Sequence, residues 1–262
     1  MPKLRDEEMW VAACVENALL GVHVRQHDDG AQPSMYDLDL VRNDVVFGAM
    51  EVTAAADAAS IEFWNLVNGS NNRWVDSDLA GGWLVTVTST TRAKRLKKDL
   101  PGLLRAMEAG EADHQTVTGR MTDLGVVSAH QGSTDFPGSI YVTLQQDAER
   151  TGGAVPLTGN VLVHWFDEWI EKDAQRDNVE KLRTAELPEK HLFVLLPGFT
   201  TAPFGASDVL MRPDGPLPEV APRLPEGITN IWFMSTWTTG KLFHFGHGGW
   251  TRSVKVLEVA RS

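Results

Sequence analysis

One cysteine, Cys14, stands in a chain of 262 residues. A single thiol excludes an internal disulfide and any cysteine-cluster metal site. No apolar run is long enough to span a bilayer. The N-terminal MPKLRDEEMW mixes charges of both signs and lacks the apolar stretch of a secretory signal, so a cytoplasmic setting is expected. The G-x-S-x-G nucleophile motif is missing, which removes support for a covalent hydrolase. Walker and dinucleotide glycine loops are missing too, which removes nucleotide-driven and Rossmann readings. Positive charge is scarce: 24 Lys and Arg stand against 35 Asp and Glu, a net charge of −11. That balance argues against a protein that merely coats nucleic acid. It leaves room for an enzyme with a local basic groove beside an acidic metal site.

What is present is a soluble-type composition, 42% hydrophobic, in a chain long enough to bury a substantial core. RDEEMWVAACVENALLG predicts a helix with Asp6 as N-cap and Gly21 as terminator. Its stripe reads Met9, Ala12, Ala13, Glu16, Leu19 and Leu20, which sets a carboxylate among apolar neighbours. GVHVRQH predicts a strand and DDGAQPS a turn-rich connector. DAASIEFWNLVNG predicts a second helix ending at Gly69, GGWLVTVTS a buried strand, and TTRAKRLKKDLPGLLRAMEAG a basic helical region interrupted at Pro101. Further on, GSIYVTLQQ and NVLVHW predict strands and FDEWIEKDAQRDNVEKLRTA a helix. KHLFVLLPG predicts a central strand from its continuous apolar run. Residues 200–227, with six prolines, predict a long surface loop, and TNIWFMSTW and KLFHFG…GGWTRSVKV the closing strands. The order of elements predicts an α/β fold with a mixed sheet. The expected division is a core over 1–108 and an α/β region over 109–262 that continues the same domain.

The stretch MYDLDLVRNDVVFGAMEVT poses the functional question, because its two strand-like runs carry acids. Residues two apart share a strand face. A hairpin turn centred near Asp44 sets Asp37 opposite Glu51, at about 4.5–5.5 Å between Cβ atoms. Two like charges at that range repel unless a divalent cation lies between them, and hard oxygen ligands suit Mg²⁺. The plainer alternative places one aspartate in solvent on a half-exposed edge strand. Glu16, on the preceding helix, is a third acid that could converge on the pair.

Glu16, Asp37 and Glu51-Val52-Thr53, in the order helix, strand, YD on a strand, turn, AMEVT on a strand, helix and strand, resemble the PD-(D/E)XK nuclease superfamily. The match covers roughly residues 5–100. The resemblance implies a restriction-endonuclease-like core, a central mixed β-sheet flanked by helices, elaborated here by the C-terminal half. It implies Mg²⁺ or Mn²⁺ held by Asp37 and Glu51, with Glu16 assisting and phosphodiester hydrolysis as the activity, on DNA rather than RNA. The chain departs from the pattern twice: Tyr36 precedes Asp37 where proline is usual, and Thr53 stands where a lysine helps to activate the attacking water. Lys94 and Lys97 are the substitutes within the basic segment.

That segment holds Arg92, Lys94, Arg95, Lys97 and Lys98. It reads either as a phosphate-backbone contact surface or as a solvated helix face. His244 and His247 lack a third ligand at zinc spacing, so a turn with two surface histidines is expected. Glu62 reads as a solvent-facing helix acid. The expected function is therefore a metal-dependent nuclease, with catalytic residues Glu16, Asp37, Glu51 and Thr53. The alternative is a catalytically degenerate relative that binds nucleic acid or a protein partner without cutting. The second half is expected to supply specificity or dimerisation structure, with a homodimer the assembly in view.

Overall fold

The computed structural model describes residues 4–56, 58–68, 74–88, 90–110, 114–131, 137–145, 158–200, 202–237 and 240–256. A strand that is apolar on both faces must be covered on both. HLFVLL meets that requirement as β8 (Glu189–Leu196), the middle strand of a seven-stranded sheet. Numbered in chain order, its partners are β1 (His23–Gln26), β2 (Leu38–Arg42), β3 (Val45–Ala54), β9 (Asn230–Ser235), β10 (Lys241–Gly246) and β11 (Gly249–Val254). The spatial order is β1-β2-β3-β8-β9-β10-β11. β8 runs parallel to β3 and to β9, and the outer pairs are antiparallel.

Strand alternation divides this sheet's side chains between two cores. Leu38, Leu40, Met50, Val52, Phe193, Leu195 and Trp232 pack with Val11, Cys14 and Val15 of α1 (Asp6–Ala18). Ala49, Leu192, Val194, Leu196 and Phe233 face the other way, toward α5 (Asn160–Trp169), α6 (Arg176–Thr184) and α7 (Phe204–Met211). Val52 is therefore committed to the α1 side, and its neighbours Glu51 and Thr53 point toward the α5–α7 side.

A second compact unit has its own four-stranded sheet, ordered β4-β7-β5-β6. It comprises α2 (Ala58–Asn68), β4 (Trp74–Val75), β5 (Trp83–Val87), α3 (Ala93–Ala109), α4 (His114–Asp123), β6 (Val126–Gln131) and β7 (Ser139–Leu144). Trp83, Val85, Leu96, Leu100, Leu104, Val117, Met121, Ile140 and Val142 form its core. This unit spans Ala56–Thr151 with Gly198–Thr201, and the remainder of the chain belongs to the first. A division at 108/109 would cut α3 one residue before its end.

Several expectations change. The strand GGWLVTVTS is β5 of the separate sheet, and it is β8 that runs parallel to β3. NVLVHW is helical, because Leu162, Val163, Trp165, Phe166 and Trp169 extend its apolar pattern at helical spacing over the whole of α5. The long helix expected from FDEWIEKDAQRDNVEKLRTA is broken by a 3₁₀ turn at Asp173–Gln175. Pro101 lies inside an unbroken α3, whose buried Leu96, Leu100, Leu103 and Leu104 outweigh the lost hydrogen bond. The proline-rich stretch contains α7, with Pro203 as its N-cap and Ala206, Val209 and Leu210 buried. Gly69 lies outside the described residues. Among those described, no helix is long and apolar enough to cross a membrane.

Candidate functional site

The β2–β3 turn is made by Asn43 and Asp44, with φ of 51° and 63°. Two consecutive left-handed residues form the hairpin turn whose twist matches that of the strands. Partner numbers add to 87 beside this turn, as in Arg42↔Val45 and Val41↔Val46, and to 88 from Leu40↔Gly48 onward. The difference is a bulge between Leu40 and Val41. Without it, Asp37 would fall level with Met50, whose side chain belongs to the α1 core. With it, Asp37 lies one step beyond Leu38↔Met50, level with Glu51.

Both acids are buried, Asp37 at 7% exposure and Glu51 at 3%. Asp37 Oδ2 accepts the Val52 N–H at 2.7 Å, at the end of the β2–β3 ladder. Its Oδ1 lies 3.5 Å from Arg5 Nη2. Burial pushes the Asp37 carboxyl up; the Val52 N–H opposes this, and the Glu8 charge adds to it. Glu51 Oε1 accepts from Lys181 Nζ at 2.8 Å. Its other oxygen, Oε2, is buried and has no hydrogen-bond partner among the described residues. Burial first, and the Asp37 charge second, raise Glu51 to about 7 against the pull of Lys181.

Lys181 is a candidate site residue that sequence reasoning missed. It sits on α6, which packs against β3 and β8, and is mostly buried at 18% side-chain exposure. Burial alone would lower its ammonium; the hydrogen bond to Glu51 and the charges of Glu51, Asp37 and Asp177 carry it higher instead. Asp177 Oδ2, one helical turn earlier, is 3.6 Å from Nζ. Thr53 Oγ1 accepts from Asn178 Nδ2 at 3.1 Å, which docks α6 beside the pair. The available signal was an amphipathic basic helix immediately before the central strand.

Glu16 is placed elsewhere. The buried face of α1 is Glu8, Val11, Cys14 and Val15, one residue out of phase with the expected stripe, and Leu20 is 90% exposed. Glu16 Oε1 instead accepts the Val24 N–H at 2.8 Å and pairs with His23 Nδ1 at 2.7 Å. The α1 carboxylate whose charge reaches Asp37 is Glu8, held by Arg5. Asp39 is fully engaged: Arg25 Nη2 at 2.9 Å, Tyr36 Oη at 2.9 Å and His27 Nδ1 at 3.0 Å surround it.

The basic residues belong to α3 of the four-stranded unit. Arg92, Lys94, Arg95, Lys97 and Lys98 are all exposed, opposite the leucine stripe. Glu62 is exposed on α2. His247 is exposed in the β10–β11 turn, but His244 is no surface residue. It stacks on Trp232 at 3.8 Å between ring centroids, and its Nε2 bonds Asn230 Oδ1 at 2.9 Å. Its neighbour His191 accepts from Trp232 Nε1 at 3.0 Å through Nδ1, which leaves the proton on Nε2, facing Glu189.

Among the described residues no group of three or more His, Cys, Asp or Glu could hold a metal ion. The donor set here is two carboxylates, one with a buried oxygen that lacks a partner. Mg²⁺ is commonly held by one or two carboxylates and keeps several waters, so this pair fits it better than a zinc cage. Comparison with protein-family models, curated proteins and solved structures finds no match.

Proposed function

We propose that the chain is a Mg²⁺-dependent phosphodiesterase of nuclease type that acts on DNA, with Asp37 and Glu51 holding the ion. The observation that supports this best is the arrangement of Glu51: buried, level with Asp37, bonded to Lys181 through one oxygen and unpartnered at the other. A purely structural design would not select two adjacent buried acids with an orphan oxygen, since each unmet polar group costs stability. The ion would lower the pKa of a coordinated water. Lys181, bonded to Glu51, would take the part of the lysine that Thr53 replaces and stabilise negative charge developing on a phosphate. Thr53 acts one step removed, by seating α6. The exposed α3 cations are proposed to follow the phosphate backbone.

The test is cleavage of supercoiled plasmid and of single-stranded DNA in Mg²⁺ or Mn²⁺. Wild type should cut, Glu51→Gln should not, and Lys181→Met should lose roughly 10²–10³-fold in kcat, the usual effect of removing one electrostatic stabiliser. A second reading rests on the same ion pair. Lys181 already neutralises Glu51, as it would in a degenerate relative that binds nucleic acid or a protein without cutting. Binding with no cleavage in either metal would favour that reading.

A further inference from the structure

We infer that Lys181 is the internal rival of the divalent ion: an ion held by Glu51 moves the ammonium off that carboxylate and onto Asp177. This rests on the metal-site reading above. Two distances in the structure carry it. Nζ lies 2.8 Å from Glu51 Oε1 and 3.6 Å from Asp177 Oδ2, and Asp177 lies on the same helix face (i,i+4). The ammonium thus sits between a buried carboxylate and an exposed one, closer to the buried one. The Asp177 side chain is 72% exposed, so it is free to take the ammonium without being desolvated.

The charges force the exchange. Asp37 and Glu51 bring two negative charges to a buried place, and Lys181 supplies the balancing positive charge there, with Asp37 also within its field. A divalent ion at Glu51 Oε2 adds two positive charges beside an ammonium already bonded to Oε1. Two cations sharing one buried carboxylate repel strongly, because screening by solvent is weak in such a place. The ion would be bound through oxygens that cannot move far, since Glu51 belongs to the paired strand β3 and Asp37 is tied to it by the Val52 N–H. Lys181 is a flexible stem with a second acceptor one helical turn away, so it is the partner that yields. The consequence is a coupling: ion entry delivers the ammonium to the solvent-facing side of α6, where a phosphate would arrive. Asp177 is in this sense a positioning residue for Lys181.

The experiment uses the full-length chain labelled with ¹⁵N-lysine, the Lys181 ammonium resonance being assigned by its loss in Lys181→Met. Mg²⁺ titration should shift that resonance in wild type. In Asp177→Asn the same titration should broaden it into exchange with water, because the second carboxylate's charge is gone. In parallel, Mn²⁺ binding is measured by the paramagnetic signal of the free ion. Lys181→Met should bind Mn²⁺ at least about tenfold more tightly than wild type, and Asp177→Asn several-fold more weakly. Lys181→Gln, with far-ultraviolet circular dichroism on each variant, covers a failure of the Met variant to fold. A Lys181 resonance unmoved at saturating Mg²⁺, with Mn²⁺ binding that still depends on Glu51, would overturn the exchange and leave the metal site standing. Mn²⁺ binding absent from wild type and Lys181→Met alike, or unchanged in Glu51→Gln, would overturn the site and the exchange together.

Discussion

Replacing Glu51 by Gln tests the electrostatics of the pair through stability alone, without any substrate. Glu51 is 3% exposed, and burial followed by the Asp37 charge lifts its carboxyl from 4.5 to about 7. In the unfolded chain the group loses its proton near 4.5; in the folded chain it keeps it to about 7. The native state therefore binds more protons across that window, and stability falls as pH rises through it. A shift of that size corresponds to about 3 kcal/mol, fully lost above pH 7. Glutamine resembles the protonated acid in shape, still offers Lys181 an oxygen, and does not titrate. In chelator at pH 8, Glu51→Gln should be more stable than wild type by about 1–3 kcal/mol, and equal to it near pH 4.5. Half-buried His244, held down to about 4, works the other way, since the unfolded chain binds its proton below 6.5 and the native state does not. Its contribution is common to both proteins, so the difference between the two urea-unfolding profiles over pH 4.5–8 is the quantity to plot. Adding Mg²⁺ at pH 8 should then stabilise wild type, by about 2.7 kcal/mol at a hundredfold excess over Kd, and leave Glu51→Gln unchanged. A variant less stable than wild type at pH 8, or a flat difference curve, would refute the account of the pair.

Alanine at Lys94, Arg95, Lys97 and Lys98 should weaken DNA binding and reduce the log–log salt slope by about 0.9 per lost contact on duplex DNA, or about 0.7 on single strands; fluorescence anisotropy at several salt concentrations measures this, and an unchanged slope returns α3 to a solvated helix. Thr53→Val removes the oxygen that holds Asn178 and should cost about 1 kcal/mol in chemical unfolding. Thr53→Lys, which supplies the lysine of the nuclease pattern the sequence resembles, meets Asn178 and the nearby Lys181, so it should lower the melting temperature and leave any cleavage rate no higher than wild type. Asp44→Gly relieves a left-handed residue at φ 63° and should stabilise the hairpin by roughly 0.5–1 kcal/mol, read by hydrogen exchange of the Val45 and Val46 amides.

The sequence by itself determined the features written in local pattern. The continuous apolar run of β8 demanded cover on both faces and therefore a central place. The alternation of β3 put Glu51 and Thr53 on the face opposite Met50 and Val52, and Asn43-Asp44 offered the left-handed pair that a tight hairpin needs. Features that depend on contacts between distant residues were not legible. The phase of α1 was settled by packing against the sheet, which buries Val11, Cys14 and Val15 and turns Glu16 toward Val24 and His23. The bulge at Leu40/Val41, which sets Asp37 level with Glu51, leaves no local mark in the residue pattern. The four-stranded unit between β3 and α5 hid the continuation of the first sheet. Lys181 reaches Glu51 across a separation of 130 residues, and the helix pattern specifies its exposed and buried faces but not its partner. Only the packing of α6 on β3 decided that, because a salt bridge between distant residues is selected by where the backbone places both ends, which neither local sequence contains.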